Sequence, residues 1–271
     1  MLGAGTGDHP SPQARERRRQ QLPAHFATLA KLFDATTFRH IVALGIRPGW
    51  RCWEVGTGGS TLPSWLAEQA GGDGYVLATD RDVSRLAADH HAFETRQHDL
   101  TTQPPPATDF HLVHARLVVE HTPDPQAVLA TMVGALRRGG WLLVEDADPM
   151  LQPLACPDAT RPEQRLANSL RQASWTLTAR RANLAFGRTL PRLLRNAGLV
   201  DVQAEVTMPL GGSGQAQFQR TLVERLREPI VAAGLASDAQ IDQHLADLAA
   251  PAAASLDLVT WPLVAAWGRK P

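Results

Sequence analysis

Cysteine, lysine and net charge are all scarce in this chain, and the scarcity of cysteine and of net charge each excludes a class of protein. The 271 residues include only two cysteines, Cys52 and Cys156, so we expect no disulfide framework. We expect instead a reducing, cytoplasmic location. The net charge is zero, which gives no general affinity for nucleic acid or for an anionic membrane. Lys31 and Lys270 are the only lysines, so arginine supplies almost all of the basic charge.

Long hydrophobic runs are missing as well. No apolar run approaches the roughly 18 residues of a transmembrane helix, and none follows the N-terminus, so neither membrane insertion nor secretion is predicted. The chain is nevertheless 44% hydrophobic, which is enough to bury a full core. We therefore expect one large α/β domain with additions.

Apolar runs alternate with helical patterns through the first half of the chain. Strands are predicted near residues 51–55, 74–79, 92–97, 109–114 and 140–146. Helices are predicted from about residues 60, 82 and 124, and a further helical region covers His25 to Ile46. This alternation predicts a parallel sheet with helices on both faces, in which the strand ends lie on one side. Ligands are expected at those carboxyl ends.

The loop after the first predicted strand is the most informative segment. Gly56 and Gly58 let the backbone turn sharply and approach a ligand closely. A dinucleotide-binding loop needs glycine or alanine at its sixth position, where this chain has Thr61. Glu54, two residues before the first glycine, would also bring a negative charge towards a pyrophosphate. The loop therefore favours a cationic, nucleoside-bearing cofactor over a dinucleotide.

Five segments in order resemble the motifs of class I S-adenosylmethionine-dependent methyltransferases. They are Glu54–Ser60, Val76–Asp80, Arg96–Leu100, Asp109–His114 and Leu136–Glu145, with a weaker match at residues 190–199. One departure is Ser60, which stands where the family usually has a third glycine. The resemblance covers roughly residues 50 to 146. It implies S-adenosylmethionine as cofactor and an α/β fold with a doubly wound, Rossmann-like, seven-stranded sheet that is mostly parallel and ends in an antiparallel strand.

The resemblance and the pattern together predict how the chain is divided. We expect a mobile N-terminal tail at 1–22, an N-terminal helical region with the cofactor-binding core at 23–149, a helical lid insertion at 150–187, and the C-terminal part of the core at 188–271, with a helical insertion near 212–250. The antiparallel last strand is predicted from Leu256–Trp261 together with Val264–Trp267.

The methyltransferase resemblance implies cofactor contacts at ten positions. Those at the methionine end are Glu54, Gly56, Thr57 and Gly58; Asp80 would take the ribose hydroxyls; those around the adenine are Arg81, Asp99 and Leu100; and those beside the transferable methyl are Ala115 and Arg116. Each acid also has a plainer interpretation, because Asp80 can cap a helix and Asp99 can initiate a turn. Arg81 can equally be a surface arginine.

Residues 115–121 should border the methyl group, and their identities exclude several subclasses. No Asn or Asp followed by Pro-Pro and an aromatic residue occurs here, so the resemblance to exocyclic-amine methyltransferases fails. Metal-dependent catechol-type enzymes carry an acid just after this strand and an Asp-Asn pair after the fifth, where this chain has Arg116 and Asp146-Ala147. Asp146 and Asp148 alone would make a poor divalent-ion site, so no metal is predicted.

Three residues are candidates for the acceptor side of the site. His121 has a loop position and an ordinary pKa near 6.5 that suit a general base, although it can instead orient the backbone before Pro123. Trp175 could stack on a substrate ring, although a large aromatic residue in an amphipathic helix is commonly part of the core. Asp146 is the third candidate, as a substrate-binding residue.

The leading hypothesis is a methyltransferase that transfers the methyl group to an O, N or C nucleophile of a small organic molecule, such as a specialised metabolite. A second is a protein of the same fold that uses bound S-adenosylmethionine for a non-methylating cyclisation or rearrangement. A third is an RNA or protein methyltransferase whose arginine cluster at 15–19 docks the substrate, although zero net charge argues against nucleic acid. A homodimer is left open, and an NAD enzyme is disfavoured by Thr61.

Overall fold

A computed structural model of the chain describes residues 12–86, 92–180, 182–250 and 256–271. The strands in this part of the chain are β1 to β7, at Arg51–Val55, Tyr75–Asp80, Glu94–Gln97, Phe110–Arg116, Leu136–Ala147, Val200–Thr207 and Leu263–Arg269. The helices are α1 to α7, at Pro12–Ala43, Thr61–Ala70, Pro125–Ala135, Pro162–Thr178, Leu190–Asn196, Ser213–Ala232 and Asp238–Ala249.

The seven strands form one sheet in the order β3-β2-β1-β4-β5-β7-β6. Strands β1 to β5 pair in parallel, whereas β7 is antiparallel to both β5 and β6. This confirms the predicted fold class, including the antiparallel last strand. The chain leaves β1 towards one edge of the sheet and returns at β4 towards the other, so the carboxyl ends of these two strands form the switch point where such sheets bind ligands.

The core has two layers because alternate residues of each strand face opposite sides. On one side Trp53, Val113 and Val144 pack against helices α3 and α5. On the other side Cys52 and Leu112 pack against α1 and α2. The second side therefore also receives every polar side chain that shares the parity of Cys52, and this decides where Glu54 points.

Three predicted segments differ from the structure. The predicted tail ran to residue 22, but α1 begins at Pro12, where proline is favoured in the first turn and the following Ala, Arg, Glu and Gln residues are good helix formers. Residues 1–11 lie outside the described residues. The helix predicted from about residue 82 is a short 3₁₀ turn at Val83–Arg85, and residues 87–91 also lie outside the described part.

The prediction for the last strand is wrong in its first half. Residues 256–261 form no strand beyond a single bridge between Val259 and Leu210. Pro262 separates them from β7, and proline lacks the N–H that a central strand needs. The residues before it instead place Trp261 under helix α6, where its ring lies 4.1 Å from that of Phe218.

Among the described residues, no helix has the length and apolar character needed to cross a membrane.

Candidate active site

The glycine loop between β1 and α2 is shaped by two left-handed residues. Gly56 and Gly58 have φ angles of 65° and 57°, a region that side chains other than glycine rarely adopt. The loop is also crowded. A Cβ atom on Gly56 would lie 2.4 Å from Val118, and one on Gly58 would lie 2.6 Å from the Phe26 ring. Both positions therefore require glycine for conformation and for space.

Asp80 holds this loop from the end of the neighbouring strand. Its Oδ2 accepts a hydrogen bond from the Gly58 N–H at 3.2 Å, and its Oδ1 accepts one from the Asp82 N–H at 3.0 Å. The structure thus brings together two of the predicted cofactor positions. Next to them, α2 begins after Ser60, which makes no side-chain capping bond, so the first backbone N–H groups of this helix have no capping side chain.

The predicted adenine end lies beyond Asp80, at the carboxyl ends of β2 and β3. Arg81 and Asp99 line one hollow together with Gln97 and Gln103. Asp99 also forms a turn, because its Oδ1 accepts hydrogen bonds from the N–H and hydroxyl of Thr101 at 2.9 and 2.6 Å. These bonds lower the pKa of Asp99. Leu100 is buried in the core, so only its backbone can serve a ligand.

Glu54 points away from the glycine loop into a buried polar group. Its Oε2 lies 2.6 Å from Nδ1 of His114, and Nε2 of His114 lies 3.4 Å from Oε2 of Glu145. Oε1 of Glu145 is 3.1 Å from Nδ1 of His40 on α1. We call Glu54, His114, Glu145 and His40 the paired network. It extends to the surface, where Nε2 of His40 lies 3.7 Å from Glu205.

His114 compensates part of the negative charge of the paired network. Burial would lower the pKa of His114, but the charge of Glu54 and the hydrogen bonds to Glu145 and Glu54 raise it to about 9. Burial raises the pKa of Glu54 against the pull of His114. Burial also opposes ionisation of Glu145, yet hydrogen bonds from His114 and His40 bring its pKa well below the usual range. An imidazolium between two carboxylates therefore stabilises this face of the sheet.

The two predicted residues beside the methyl group are placed differently. Ala115 is fully buried in the core. Arg116 binds helix α1, because its guanidinium donates to Asp34 at 2.7 Å and to the Thr37 hydroxyl at 2.9 Å. The same hydroxyl donates to Glu145, so Arg116 fixes α1 over the end of the sheet.

A second group of acids lies where β4 and β5 end. Glu120 sits in the 3₁₀ turn Val119–His121 and its side chain is 11% exposed, while Asp146 is fully buried near the end of β5. We call Glu120 and Asp146 the acid pair. His121 lies beside it, with Nε2 3.5 Å from Glu120 and 63% of its side chain exposed. Partial burial, then the positive charges of Arg225 and Arg81, lower the pKa of His121, which favours the neutral ring over the imidazolium.

Asp148, the other acid considered for a metal, is already bound. The Arg188 side chain and backbone donate three hydrogen bonds to it, between 2.6 and 2.8 Å. Its charge is therefore compensated within the chain.

Aromatic residues cover the same end of the sheet. The rings of Trp175 and Trp261 lie 6.0 Å apart, and that of Phe218 packs edge-on against Trp261. We call these three residues the aromatic wall. They belong to an apolar cluster that also contains Ala147 of β5 and Leu117 of the loop after β4. Trp175 is itself buried and donates to the Pro153 carbonyl at 3.0 Å.

A ligand site at the switch point of a seven-stranded sheet with an antiparallel last strand defines the class I methyltransferase fold. The family profile for the methyltransferase domain matches residues 14–204, more than half of the chain. The chain therefore belongs to the methyltransferase domain family, whose cofactor is S-adenosylmethionine. The crowded glycine cradle and Asp80 fit such a cofactor.

Individual relatives are distant. A putative methyltransferase from an antibiotic biosynthesis pathway of Anabaena variabilis has a TM-score of 0.56 at 14% identity, covering 85% of this chain and 96% of that one. The YcgJ protein of Bacillus subtilis has a TM-score of 0.51 at 13% identity, with the same two coverages of 85% and 96%. These likenesses show the fold alone.

Among curated proteins, Methyltransferase str2 of Strobilurus tenacellus is 43% identical over 42 residues. That segment is 16% of this chain and 15% of the relative, so the chain matches only a small part of that protein's length.

Several residues of the site were missed by sequence reasoning. Glu120 was passed over within the segment 115–121, although an acid in the loop after a strand is a signal for this edge. His114 and Glu145 share the parity of Glu54 along their strands, but only the register shows that they touch. Phe26 and Trp261 come from distant segments and carry no local signal.

Proposed function

We propose that this protein transfers a methyl group from S-adenosylmethionine to a nucleophile of a small organic molecule. The observation that carries the proposal is Asp80 hydrogen-bonded to the backbone of Gly58 at the switch point of a chain of this family. When bound, S-adenosylmethionine supplies an electrophilic methyl group on a sulfonium. The protein then has to bind and orient the acceptor and exclude water, which can supply much of the rate.

The residues predicted to hold the cofactor divide into three groups by what they offer. Gly56, Thr57 and Gly58 offer backbone groups, and Asp80 offers carboxylate oxygens to the ribose. Arg81, Asp99 and the backbone of Leu100 would bind the adenine side. Glu54, Ala115 and Arg116 act through position, because Glu54 is held by His114 and Arg116 by α1.

The enclosure of the acceptor side supports a small substrate. Helices α4 and α6 bring Trp175 and Phe218 over the end of the sheet beside Ala147, and α1 adds Phe26 over the glycine loop. In this proposal the helices form the lid, Asp146 binds the acceptor, and His121 receives a proton at the exposed mouth of the site.

Binding of S-adenosylhomocysteine, measured by calorimetry, tests the cofactor site directly. Asp80→Ala and Gly58→Ala should each weaken binding by roughly 10- to 100-fold, because one loses the carboxylate and the other forces a Cβ into the Phe26 ring. Gly59→Ala is the matched control, since a Cβ at Gly59 meets nothing within 4 Å. Wild-type protein that fails to bind would end the proposal.

Turnover products separate methyl transfer from the other uses of the same fold. Release of S-adenosylhomocysteine with a product one methyl heavier supports methyl transfer, whereas product without cofactor consumption supports a rearrangement. Deleting residues 1–20 should leave activity on a small acceptor unchanged; loss of activity would instead favour a macromolecular substrate docked by the arginine cluster.

A further inference from the structure

The acid pair is fixed by reciprocal backbone contacts across two strand ends. Asp146 Oδ1 accepts a hydrogen bond from the Val118 N–H at 3.1 Å, and the backbone of Glu120 lies close enough to that carboxyl to act on its pKa. The backbone of Ala147, next to Asp146, acts on the Glu120 carboxyl in the same way. Each carboxyl therefore lies against the backbone of the other's segment.

The acid pair lacks the compensation that other buried acids of this site have. Asp146 is fully buried, and within the described chain its Oδ2 has no hydrogen-bond partner. Burial and the negative charge of Glu120 raise the pKa of Asp146 well above its usual value. Burial, with the charge of Asp148 adding to it, raises the pKa of Glu120 to about 7. Both carboxyls therefore favour the protonated form, and ionisation of either one opposes ionisation of the other.

The other charged groups around the acid pair do not change this result. Asp148 forms an ion pair with Arg188 and still raises the pKa of Glu120, and Glu145 adds further negative charge near Asp146. His121 lies 3.5 Å from Glu120, but partial burial and the positive charges of Arg225 and Arg81 lower its own pKa.

The acid pair also lies beside the cofactor loop and the aromatic wall. Val118, which donates to Asp146, packs its side chain on Gly56 of the cofactor loop. Ala147 and Leu117, which flank the acids in sequence, belong to the cluster of the aromatic wall. Through these neighbours the acid pair lies next to both the cofactor loop and the aromatic wall.

We propose that the acid pair takes the proton of a phenolic hydroxyl, so that the protein is an O-methyltransferase of phenols with Glu120 as the base and Asp146 as its positioning residue. This rests on the proposed methyl transfer. In that step the O–H bond breaks and its proton passes to a Glu120 carboxylate oxygen, while the oxygen lone pair forms the O–CH₃ bond. The C–S bond breaks with its electron pair left on sulfur, so a sulfonium and a carboxylate become a neutral thioether and a carboxylic acid.

His121 completes the path of the proton. Its Nε2 is 3.5 Å from Oε1 of Glu120 and its ring is largely exposed. A neutral imidazole at that position can accept the proton from Glu120 and release it to water. This restores the acid pair for the next turnover.

Acidity selects the phenol among possible acceptors. A phenolic hydroxyl ionises near pH 10, about three units above Glu120, so the transfer is uphill by a factor of about 1,000, within reach of a positioned base. Alkyl hydroxyls are far less acidic. An alkyl amine fits poorly because a buried negative charge holds it as the ammonium ion, which has no lone pair. The aromatic wall suits a ring acceptor.

Rates on two phenols of different acidity test the role of Glu120. We expect Glu120→Gln to lower kcat for 4-methylphenol by about 100- to 10,000-fold, with little change in KM. On 4-nitrophenol, which ionises without help at neutral pH, kcat should fall less than about 10-fold. Glu68→Gln, an exposed acid of α2, is the control and should match wild type on both.

Two further measurements do not depend on turnover. S-adenosylhomocysteine binding by calorimetry should be unchanged in Glu120→Gln. The infrared band of protonated carboxyl groups at neutral pH should lose intensity in Asp146→Asn and not in Glu68→Gln, because removing one acid lets the other ionise. An unchanged band in Asp146→Asn contradicts this opposition between the two acids.

The outcomes separate this inference from the proposed function. Wild type that binds S-adenosylhomocysteine but methylates benzylamine and neither phenol overturns the phenol assignment and leaves methyl transfer standing. An equal loss on both phenols in Glu120→Gln, or no loss on 4-methylphenol, overturns the role of Glu120. Absence of S-adenosylhomocysteine binding would overturn the proposed function itself.

Discussion

The same end of the sheet carries two groups of buried acids, one with hydrogen-bonding and charged partners and one that lacks part of them. In the paired network, His114 lies between Glu54 and Glu145, and His40 and Thr37 satisfy the rest of Glu145. In the acid pair, Asp146 keeps an oxygen without a hydrogen-bond partner in the described chain. Acids whose charge is paired within the protein stabilise the fold. An acid pair without such partners can still exchange a proton with a ligand.

The largest effect should come from removing the cation of the paired network. His114→Leu leaves Glu54 and Glu145 buried without their shared partner, and we expect the free energy of unfolding to fall by about 3–5 kcal/mol. Asp146→Asn should change it by less than about 1 kcal/mol, because an amide of the same shape replaces an acid that is costly to ionise. Urea denaturation measures both. A His114→Leu protein as stable as Asp146→Asn would erase the distinction between the two groups.

The pH dependence of stability should separate the groups into two windows. The folded-state pKa of His114 is raised from 6.5 to about 9, so its contribution is complete below pH 6.5 and is lost as the pH rises through about 9. The folded-state pKa of Glu120 is raised from 4.5 to about 7, so its contribution to the unfolding free energy is lost as the pH rises from 4.5 to about 7. Each loss amounts to roughly 3 kcal/mol at most.

Denaturation of Glu120→Gln from pH 4 to pH 10 checks this separation. The difference in unfolding free energy from wild type should vary with pH only in the lower window. His111→Gln, on the same strand as His114 but partly exposed, should leave the upper window intact. A difference curve for Glu120→Gln that is flat between pH 4.5 and 7 would contradict the raised pKa of this group.

A smaller effect should follow from removing the Thr37 hydroxyl, which donates to Glu145 of the paired network. Thr37→Val keeps the shape of the side chain but removes one hydrogen bond from Glu145 and one from Arg116, at an expected cost of about 1–3 kcal/mol. Thr131→Val, exposed on α3, is the control for the same substitution in a helix. Equal stability of the two variants would show that the Thr37 hydroxyl is dispensable.

The smallest effect should come from the exposed end of the paired network. Arg39 and Glu205 form an ion pair with side chains 57% and 41% exposed, and solvent screens such pairs strongly. Glu205→Gln should therefore lower the unfolding free energy by less than about 1 kcal/mol, and added salt should reduce the difference further. A cost as large as that of Thr37→Val would mean that the network depends on its surface end.

Prediction from sequence succeeded where a signal is local. Strand β1 occupies the predicted residues 51–55, because a short apolar run bounded by a glycine turn specifies a buried strand. It failed at residues 256–261, where an apolar run of the same kind leads into Pro262 and covers a helix instead. It also ended the tail too late, because helix propensity at residues 12–22 lacks the apolar periodicity by which a helix is recognised.

The order of motifs along the chain by itself determined the fold class, the glycine loop and Asp80, because each depends on residues close in sequence. Only the tertiary structure decided which acids are compensated. Glu54 meets His114 and Glu145 through strand register, and Asp146 meets Glu120 through two loop ends. Proton affinity depends on burial and neighbouring charge, and both are set by contacts between distant segments.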